Sequence, residues 1–216
     1  MRKLAITALI LVGTLFAAGN VYLSQISVPT EAIHSSVTRS EALLNRGWEL
    51  PVAQTFKPAL LWQSNPSTCG AASLANVFRS LSEPRTERQL LARTNRCWFG
   101  ICVVGLRLDE LAEVAKAHTT RKITVLRDLS PEQFRSLLRS ANDPSRRLIV
   151  NFSRKPIFGS GGGHHSPFGG YLENEDLVFV LDVNRKFQPW LVERSRLFAA
   201  VDTLDGEKKR GALLFE

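Results

Sequence analysis

The first sustained pattern in the chain is an uncharged apolar run from Leu4 to Ala18, preceded by Arg2 and Lys3 and closed by the small residues Ala17, Ala18 and Gly19. A basic start, an apolar middle and a small-residue end are the order of a secretory signal. The run is short of the roughly 20 apolar residues that a bilayer span wants, although Val21, Tyr22 and Leu23 extend it enough for an uncleaved anchor. Residues 1–23 are therefore predicted to be a signal peptide or N-terminal anchor, the rival being a buried core helix. The stretch 24–55 is polar and holds Pro29 and Pro51. It is expected to be a linker or N-terminal extension with one short helix around 39–46, leaving 56–216 as the folded domain.

Within that domain, Ser67 and Thr68 stand where they can cap a helix starting at about Cys69. Ala71, Leu74, Ala75, Phe78 and Leu81 recur at three- and four-residue spacing and predict one apolar helix face. Further helices are predicted over 87–94 and 106–117. Ser130-Pro131-Glu132-Gln133 supplies a cap, a first-turn proline and a capping-box glutamine ahead of Phe134, Leu137 and Leu138.

After Pro144 the period changes. Leu148–Phe152 and the continuous apolar run Leu177–Val183 predict strands, the second central and buried, with 164–171 bridging them. Shorter strands are expected at 190–192 and 212–215. A mainly helical first half followed by a mainly β second half predicts an α+β fold of two facing lobes, with a ligand cleft between them.

Composition narrows the picture only a little. With 44% hydrophobic and 22% charged residues, the chain has the balance of a globular protein. The net charge is +8, and loss of Arg2 and Lys3 with the leader leaves +6. The basic residues are scattered without interleaved aromatics, so a nucleic-acid partner is not expected and small anionic substrates are. Among three cysteines, Cys97 and Cys102 flank Trp-Phe-Gly-Ile and are the natural disulfide pair in an oxidising compartment; zinc ligation is the weaker rival. Cys69 is then the free thiol.

Several residues could carry chemistry, each with a bland alternative. Cys69 falls in the first turn of a helix, where unpaired amides and the helix dipole favour thiolate; the alternative is an inert buried cysteine. Gly70 after it is expected to leave room for substrate. Gln63, upstream on an extended segment, can aim an amide at a developing oxyanion, or be merely solvated. His164 and His165 follow Gly161-Gly162-Gly163, and either is a candidate general base. If the stretch is extended, their rings point to opposite faces, so only one is expected to meet Cys69. Asp182 sits inside a run so apolar that its carboxylate should be buried and in need of a partner. His164 suits it, while strand capping or pairing with Arg185 are the alternatives.

Three segments carry a resemblance. Gln63-Ser64-Asn65-Pro66-Ser67-Thr68-Cys69-Gly70-Ala71-Ala72-Ser73 resembles the nucleophile segment of phytochelatin synthases. Gly163-His164-His165-Ser166-Pro167-Phe168-Gly169-Gly170-Tyr171 resembles their histidine segment, and Leu181-Asp182-Val183-Asn184-Arg185 their aspartate segment. The resemblance runs over about 55–215 in the same order. It implies a papain-like fold in which a helical lobe carrying the nucleophile helix packs against an antiparallel β lobe. It also implies a triad of Cys69, His164 and Asp182, with Gln63 at the oxyanion hole. The histidine directly after glycine being the family's base, His164 is preferred to His165. Arg185 matches a substrate-binding arginine, and Asn65 and Gly163 join it as expected substrate contacts.

The implied activity is attack by Cys69 on the Cys–Gly amide of glutathione, release of glycine, and transfer of γ-glutamylcysteine to water or to a second glutathione. No cofactor is implied as required; cadmium or zinc would enter as glutathione complexes or as activators. Where family members carry a tyrosine-proline-proline run, this chain reads Lys186-Phe187-Gln188-Pro189-Trp190, and that departure favours hydrolysis. The cysteine-rich C-terminal extension of the plant enzymes is not expected in this protein. The chain thus resembles the short, bacterial-type, exported version, expected in the periplasm or anchored facing it, with membrane contact only through its N-terminal segment; a homodimer stays open. Two other functions compete: a papain-like peptidase acting on longer peptides, and a non-catalytic thiol- or metal-binding module built from Cys69, Cys97, Cys102 and the histidines.

Overall fold

Ser130 caps the helix that follows it as its sequence demands. Its hydroxyl accepts from the Gln133 amide (3.2 Å), and Gln133 Oε1 accepts from the Ser130 amide (2.8 Å), so two orphan donors are satisfied together. Such local devices set the elements of a computed structural model that describes residues 27–92, 94, 97–98, 101–102 and 105–216, the pairs 97–98 and 101–102 by backbone alone. The predicted signal or anchor at 1–23 lies outside the described residues, as do the side chains of Cys97 and Cys102 and hence their expected disulfide. Among the described residues, no helix is long and apolar enough to cross a membrane.

The helices are α1 (Thr30–Ser35), α2 (Glu41–Glu49), α3 (Pro51–Gln54), α4 (Cys69–Ser80), α5 (Glu87–Leu91), α6 (Leu108–Lys116), α7 (Pro131–Ser140), α8 (Lys155–Phe158) and α9 (Arg194–Val201). Short strands β1 (Cys97–Trp98) and β2 (Ile101–Cys102) pair with each other, as do β8 (Leu204–Asp205) and β9 (Lys208–Lys209). The main sheet comprises β3 (Ile123–Leu126), β4 (Arg147–Ser153), β5 (Gly163–Leu172), β6 (Leu177–Val180), β7 (Trp190–Glu193) and β10 (Gly211–Phe215). Its order is β3-β10-β4-β5-β6-β7, antiparallel throughout. The expected α+β arrangement, helices against an antiparallel sheet, is the one observed.

Three expectations need correction. The segment 24–55 is not a linker over its described part: α1, α2 and α3 dock onto the sheet, burying Val28, Ile33, Val37, Val52 and Ala53, with Phe56 just beyond. Thr38 and Leu191 exchange backbone hydrogen bonds of 2.8 and 3.1 Å, and Trp48 meets Phe179 edge-on at 5.1 Å. The folded unit therefore includes residues 27–55, because their apolar positions, too sparse to read as a pattern, fall together on one side once docked. The stretch 164–171 is not a bridge but part of β5, which pairs with both β4 and β6. The strand expected over Leu177–Val183 stops at Val180, so Asp182 follows the strand instead of lying within it.

Helix α4 is buried all round from Cys69 to Phe78 rather than on the single predicted face. A helix covered on all sides is a core element, and here it is wedged against β5, where Ser73 Oγ donates to the His165 carbonyl at 3.0 Å.

Candidate active site

Cys69 opens α4 and is 6% exposed. Thr68 occupies the N-cap position, but no side chain caps this helix. The Thr68 hydroxyl is spent on the preceding turn, accepting from the Asn65 amide (3.2 Å) and donating to its carbonyl (3.1 Å). The first-turn amides thus keep their favourable field for an anion at sulfur. Gly70 does not make room for substrate as expected. A Cβ there would stand 3.0 Å from Leu111 Cδ1 and 3.7 Å from His165 Nδ1, so glycine is what lets the helix start approach α6 and β5.

Both imidazoles reach Cys69, against the expectation that only one would. The rings do leave β5 on opposite faces, His164 opposite Phe152 and His165 opposite Asn151 in the register with β4. His165 Nδ1 is 3.9 Å from Cys69 Sγ. Burial pushes the Cys69 thiol up, but the charge of His164 and hydrogen bonds from His164 and His165 pull it well below the usual thiol range. For His164 burial and the Arg154 charge push down, yet Asp182 and the Cys69 thiolate outweigh them and hold the imidazole above its ordinary value. Both shifts favour the thiolate and imidazolium forms of the pair.

Asp182 is fully buried and saturated with donors. Oδ1 accepts from His164 Nε2 (2.9 Å), the Asn184 amide (2.9 Å) and Arg154 Nη2 (3.2 Å), and Oδ2 from Trp190 Nε1 (3.2 Å). Burial alone would raise this carboxyl; Arg154, His164 and the Asn184 amide reverse that and hold it well below the carboxylate range. With Nε2 committed to the aspartate, His164 turns its other ring nitrogen to the chemistry. Phe152 packs edge-on against the His164 ring at 5.6 Å and against Trp190 at 5.8 Å, which restricts its rotation.

Gln63 Nε2 donates to the Asn65 carbonyl at 2.9 Å, leaving a second amide hydrogen, while the Gln63 backbone amide is held by the Val183 carbonyl at 2.9 Å. That bond ties the strand-like lead into α4 to the residue after Asp182. At Gly163 the Arg210 guanidinium packs against the backbone where a Cβ would stand, so a side chain there would push the guanidinium aside. Of the expected substrate contacts, Gly163 lines the cleft, but Asn65 does not: its Oδ1 accepts from the Ser67 amide at 2.8 Å and shapes the turn before α4. Arg185 is exposed, 6.0 Å from the centre of the Trp62 ring, and also stands outside the lining.

The cleft has two compartments meeting at Pro66, Ser67 and Gly163. One, of about 410 Å³, is lined on its far side by Gln63, His164, Arg154, Lys186 and Asn184, with Ser27 and Val28 closing it. The other, of about 300 Å³, holds Cys69, His165, Arg107 and Arg210. Each carries two basic side chains. Sequence reasoning missed Arg154, Asn151, Arg210 and Trp190 as site residues. The one visible signal was Arg154 directly after an apolar strand; the partners lie 8 to 59 residues apart, beyond any local pattern. Among the described residues, no group of three or more His, Cys, Asp or Glu side chains is placed to hold a metal ion.

Comparison with known proteins agrees with this geometry. The family model described as phytochelatin synthase matches residues 23–212. A glutathione gamma-glutamylcysteinyltransferase of Schizosaccharomyces pombe is 27% identical over 171 residues, 73% of this chain and 41% of the relative. Glutathione gamma-glutamylcysteinyltransferase 3 of Lotus japonicus is 30% identical over 160 residues, 66% of this chain and 32% of the relative. The chain thus spans less than half the length of these curated relatives. Among solved structures, the peptidase domain of Streptococcus ComA matches with a TM-score of 0.51 at 17% identity, covering 72% of this chain and 95% of that one. A peptidase-like protein of Bacillus anthracis matches with a TM-score of 0.55 at 14% identity, covering 74% and 95%. The fold is papain-like.

Proposed function

This chain belongs to the phytochelatin synthase family, and from that premise we propose that it cleaves glutathione through a γ-glutamylcysteinyl thioester on Cys69. The carrying observation is the convergence of the Cys69 sulfur, the His164 imidazole and the Asp182 carboxylate at an uncapped helix start. The thiolate attacks the carbonyl carbon of the Cys–Gly amide, and we assign stabilisation of the charge gained by the oxygen to the Gln63 amide and the first-turn N–H groups of α4. His164 gives its proton to the glycine nitrogen, the C–N bond breaks and glycine departs. His164, now neutral, takes a proton from water as it attacks the thioester; γ-glutamylcysteine leaves and the thiolate is restored. Asp182 holds the tautomer and ring orientation throughout.

The two basic compartments support a small substrate with a carboxylate at each end. Arg154 and Lys186 stand in the compartment reached past His164, Arg107 and Arg210 in the one that holds Cys69, where Asp205 offsets part of their charge, and glutathione carries one carboxylate on its glutamyl and one on its glycyl end. Ser27 and Val28 wall the first compartment, with Lys186 Nζ donating to the Val28 carbonyl at 2.8 Å, which favours a short substrate over a long peptide.

Water is the favoured acceptor, because Gln188 stands where the family carries a tyrosine; its amide is turned back onto the Arg185 carbonyl at 2.8 Å. Transfer to a second glutathione is the lesser activity, and cadmium or zinc enters as its thiolate complex. The apolar N-terminal run supports export, and the protein then works in the periplasm. Purified protein with glutathione should release glycine and γ-glutamylcysteine in equal amounts, and Cys69→Ser should abolish both. Glycine release that survives this substitution rules the mechanism out.

A further inference from the structure

The relation between Cys69 and the second histidine has a chemical direction, because the groups behind His165 leave it one choice. Arginine has donors only. Arg210 Nη1 lies 2.9 Å from Asn151 Oδ1, so that end of the Asn151 amide is the carbonyl and the other end is the NH2. Asn151 Nδ2 lies 2.6 Å from His165 Nε2, so Nε2 must accept. An imidazole accepting at Nε2 carries its proton on Nδ1, and Nδ1 is the atom 3.9 Å from Cys69 Sγ. A second proton on the ring would set two donors against each other at Asn151.

We propose that His165 is a fixed N–H donor to the Cys69 sulfur, set in its Nδ1–H tautomer by an Arg210–Asn151–His165 relay, so that the two adjacent histidines divide the work. His164 moves protons, while His165 holds charge on sulfur and takes no proton from it. Resting on the thioester reading, this assigns His165 a role in two steps, since the thiolate is both the attacking group and the group expelled when water resolves the acyl-enzyme. A donor aimed at sulfur helps the second step without competing with His164 for the proton it takes from water. Asn151 and Arg210 are positioning residues. Asp205, 3.3 Å from Arg210 Nη2, holds the relay's far end. The charged groups around the sulfur are thus His164 on one side and, on the other, Arg107 and Arg210 with Asp205 beside Arg210. His165 and Asn151 are both buried, which keeps water from supplying the same bonds.

The test follows sulfur rather than turnover: the rate of iodoacetamide labelling of Cys69 in the full chain as a function of pH. His165→Phe, which fills the site without a donor, should slow labelling at pH 6 about tenfold, the worth of one charge-assisted hydrogen bond. His165→Asn, whose amide N–H stands near the place of Nδ1, should recover most of the rate. Asn151→Leu, which frees the tautomer, should fall between them. Equal labelling of wild type and His165→Phe, or His165→Asn as slow as His165→Phe, overturns the proposal. Should a variant fail to fold, nitrogen NMR of wild-type protein labelled in histidine decides instead: His165 must show a protonated Nδ1 and an acceptor Nε2, and the reverse tautomer overturns the assignment. Glycine release is assayed separately. A wild type inert toward glutathione but with this labelling order sinks the substrate and leaves the relay standing, whereas active enzyme with flat labelling does the opposite.

Discussion

Arg154 Nη2 lies 3.1 Å from Asp182 Oδ2, and both side chains are buried, 7% and 0% exposed. The guanidinium also stacks on Phe187, 3.4 Å from the ring centre. The aspartate therefore serves two cations, His164 in front and Arg154 behind. The second explains why a full charge can persist there without protonating: a buried carboxylate with one imidazole partner would be only marginally compensated.

Removing that cation should be costly. Arg154→Met leaves Asp182 with one charged partner and should lower unfolding free energy by about 3 kcal/mol, a typical result of breaking a buried pair on one side, measured by urea denaturation. The Arg154 charge now pushes the His164 imidazole down, so the alkaline limb of any surviving activity should move to higher pH. A neutral effect on stability would mean the pair is not compensated as described.

The depressed carboxyl of Asp182 makes a stability prediction with a definite sign. Its folded value lies below the 3.8 of the free group, so the stability it contributes is complete above pH 3.8 and drains away as pH falls through the folded value. The stability gap between wild type and Asp182→Asn should be widest near neutrality and shrink below pH 4 in denaturant titrations. A gap independent of pH would remove the charge-based account.

The pH dependence of kcat/KM should be a bell whose limbs belong to the Cys69–His164 pair. The acid limb lies well below the usual thiol range and the alkaline limb above 6.5, the ordinary imidazole value. Asp182→Asn removes what raises His164, and with it the charge that lowers Cys69, so both limbs should move inward. An unchanged width would show that the pair is not coupled through the carboxylate.

A chain cut to residues 56–216 should not fold independently, because it loses Val28, Ile33, Val37, Val52 and Ala53 from the core and uncovers the Leu191 edge that Thr38 covers. Far-ultraviolet dichroism and thermal melts should show no cooperative transition, whereas residues 24–216 should melt as one unit. Phe56→Ala in that longer chain should cost roughly 3–5 kcal/mol, given a side chain only 1% exposed. A stable, active 56–216 fragment would restore the linker reading.

Much of this site was legible because its members announce themselves locally. Cys69 follows a turn of Asn, Pro, Ser and Thr, His164 follows glycines, and Asp182 sits inside an apolar run. Each placement depends on interactions within a few residues, which composition and spacing record. The helix at Ser130 was legible for the same reason. The docking of 27–55 was not, since it rests on scattered apolar residues whose partners Phe179 and Leu191 are more than a hundred positions away. Nor was the end of β6 at Val180: hydrophobicity continues to Val183, but pairing with β7 ends with Trp190 opposite Val180, and only the sheet register sets that stop.

The chain's own order of residues determined the α+β class, the cysteine at a helix start and the partnership of His164 with Asp182, because periodicity, capping and the cost of burying a carboxylate are short-range or intrinsic. Tertiary structure decided that both histidines reach the sulfur, that Arg154 completes the charge balance and that Asn151 and Arg210 stand behind His165. Those relations depend on which strand lies beside which and in what register, and distances of a few ångströms between remote residues leave no trace in the linear spacing.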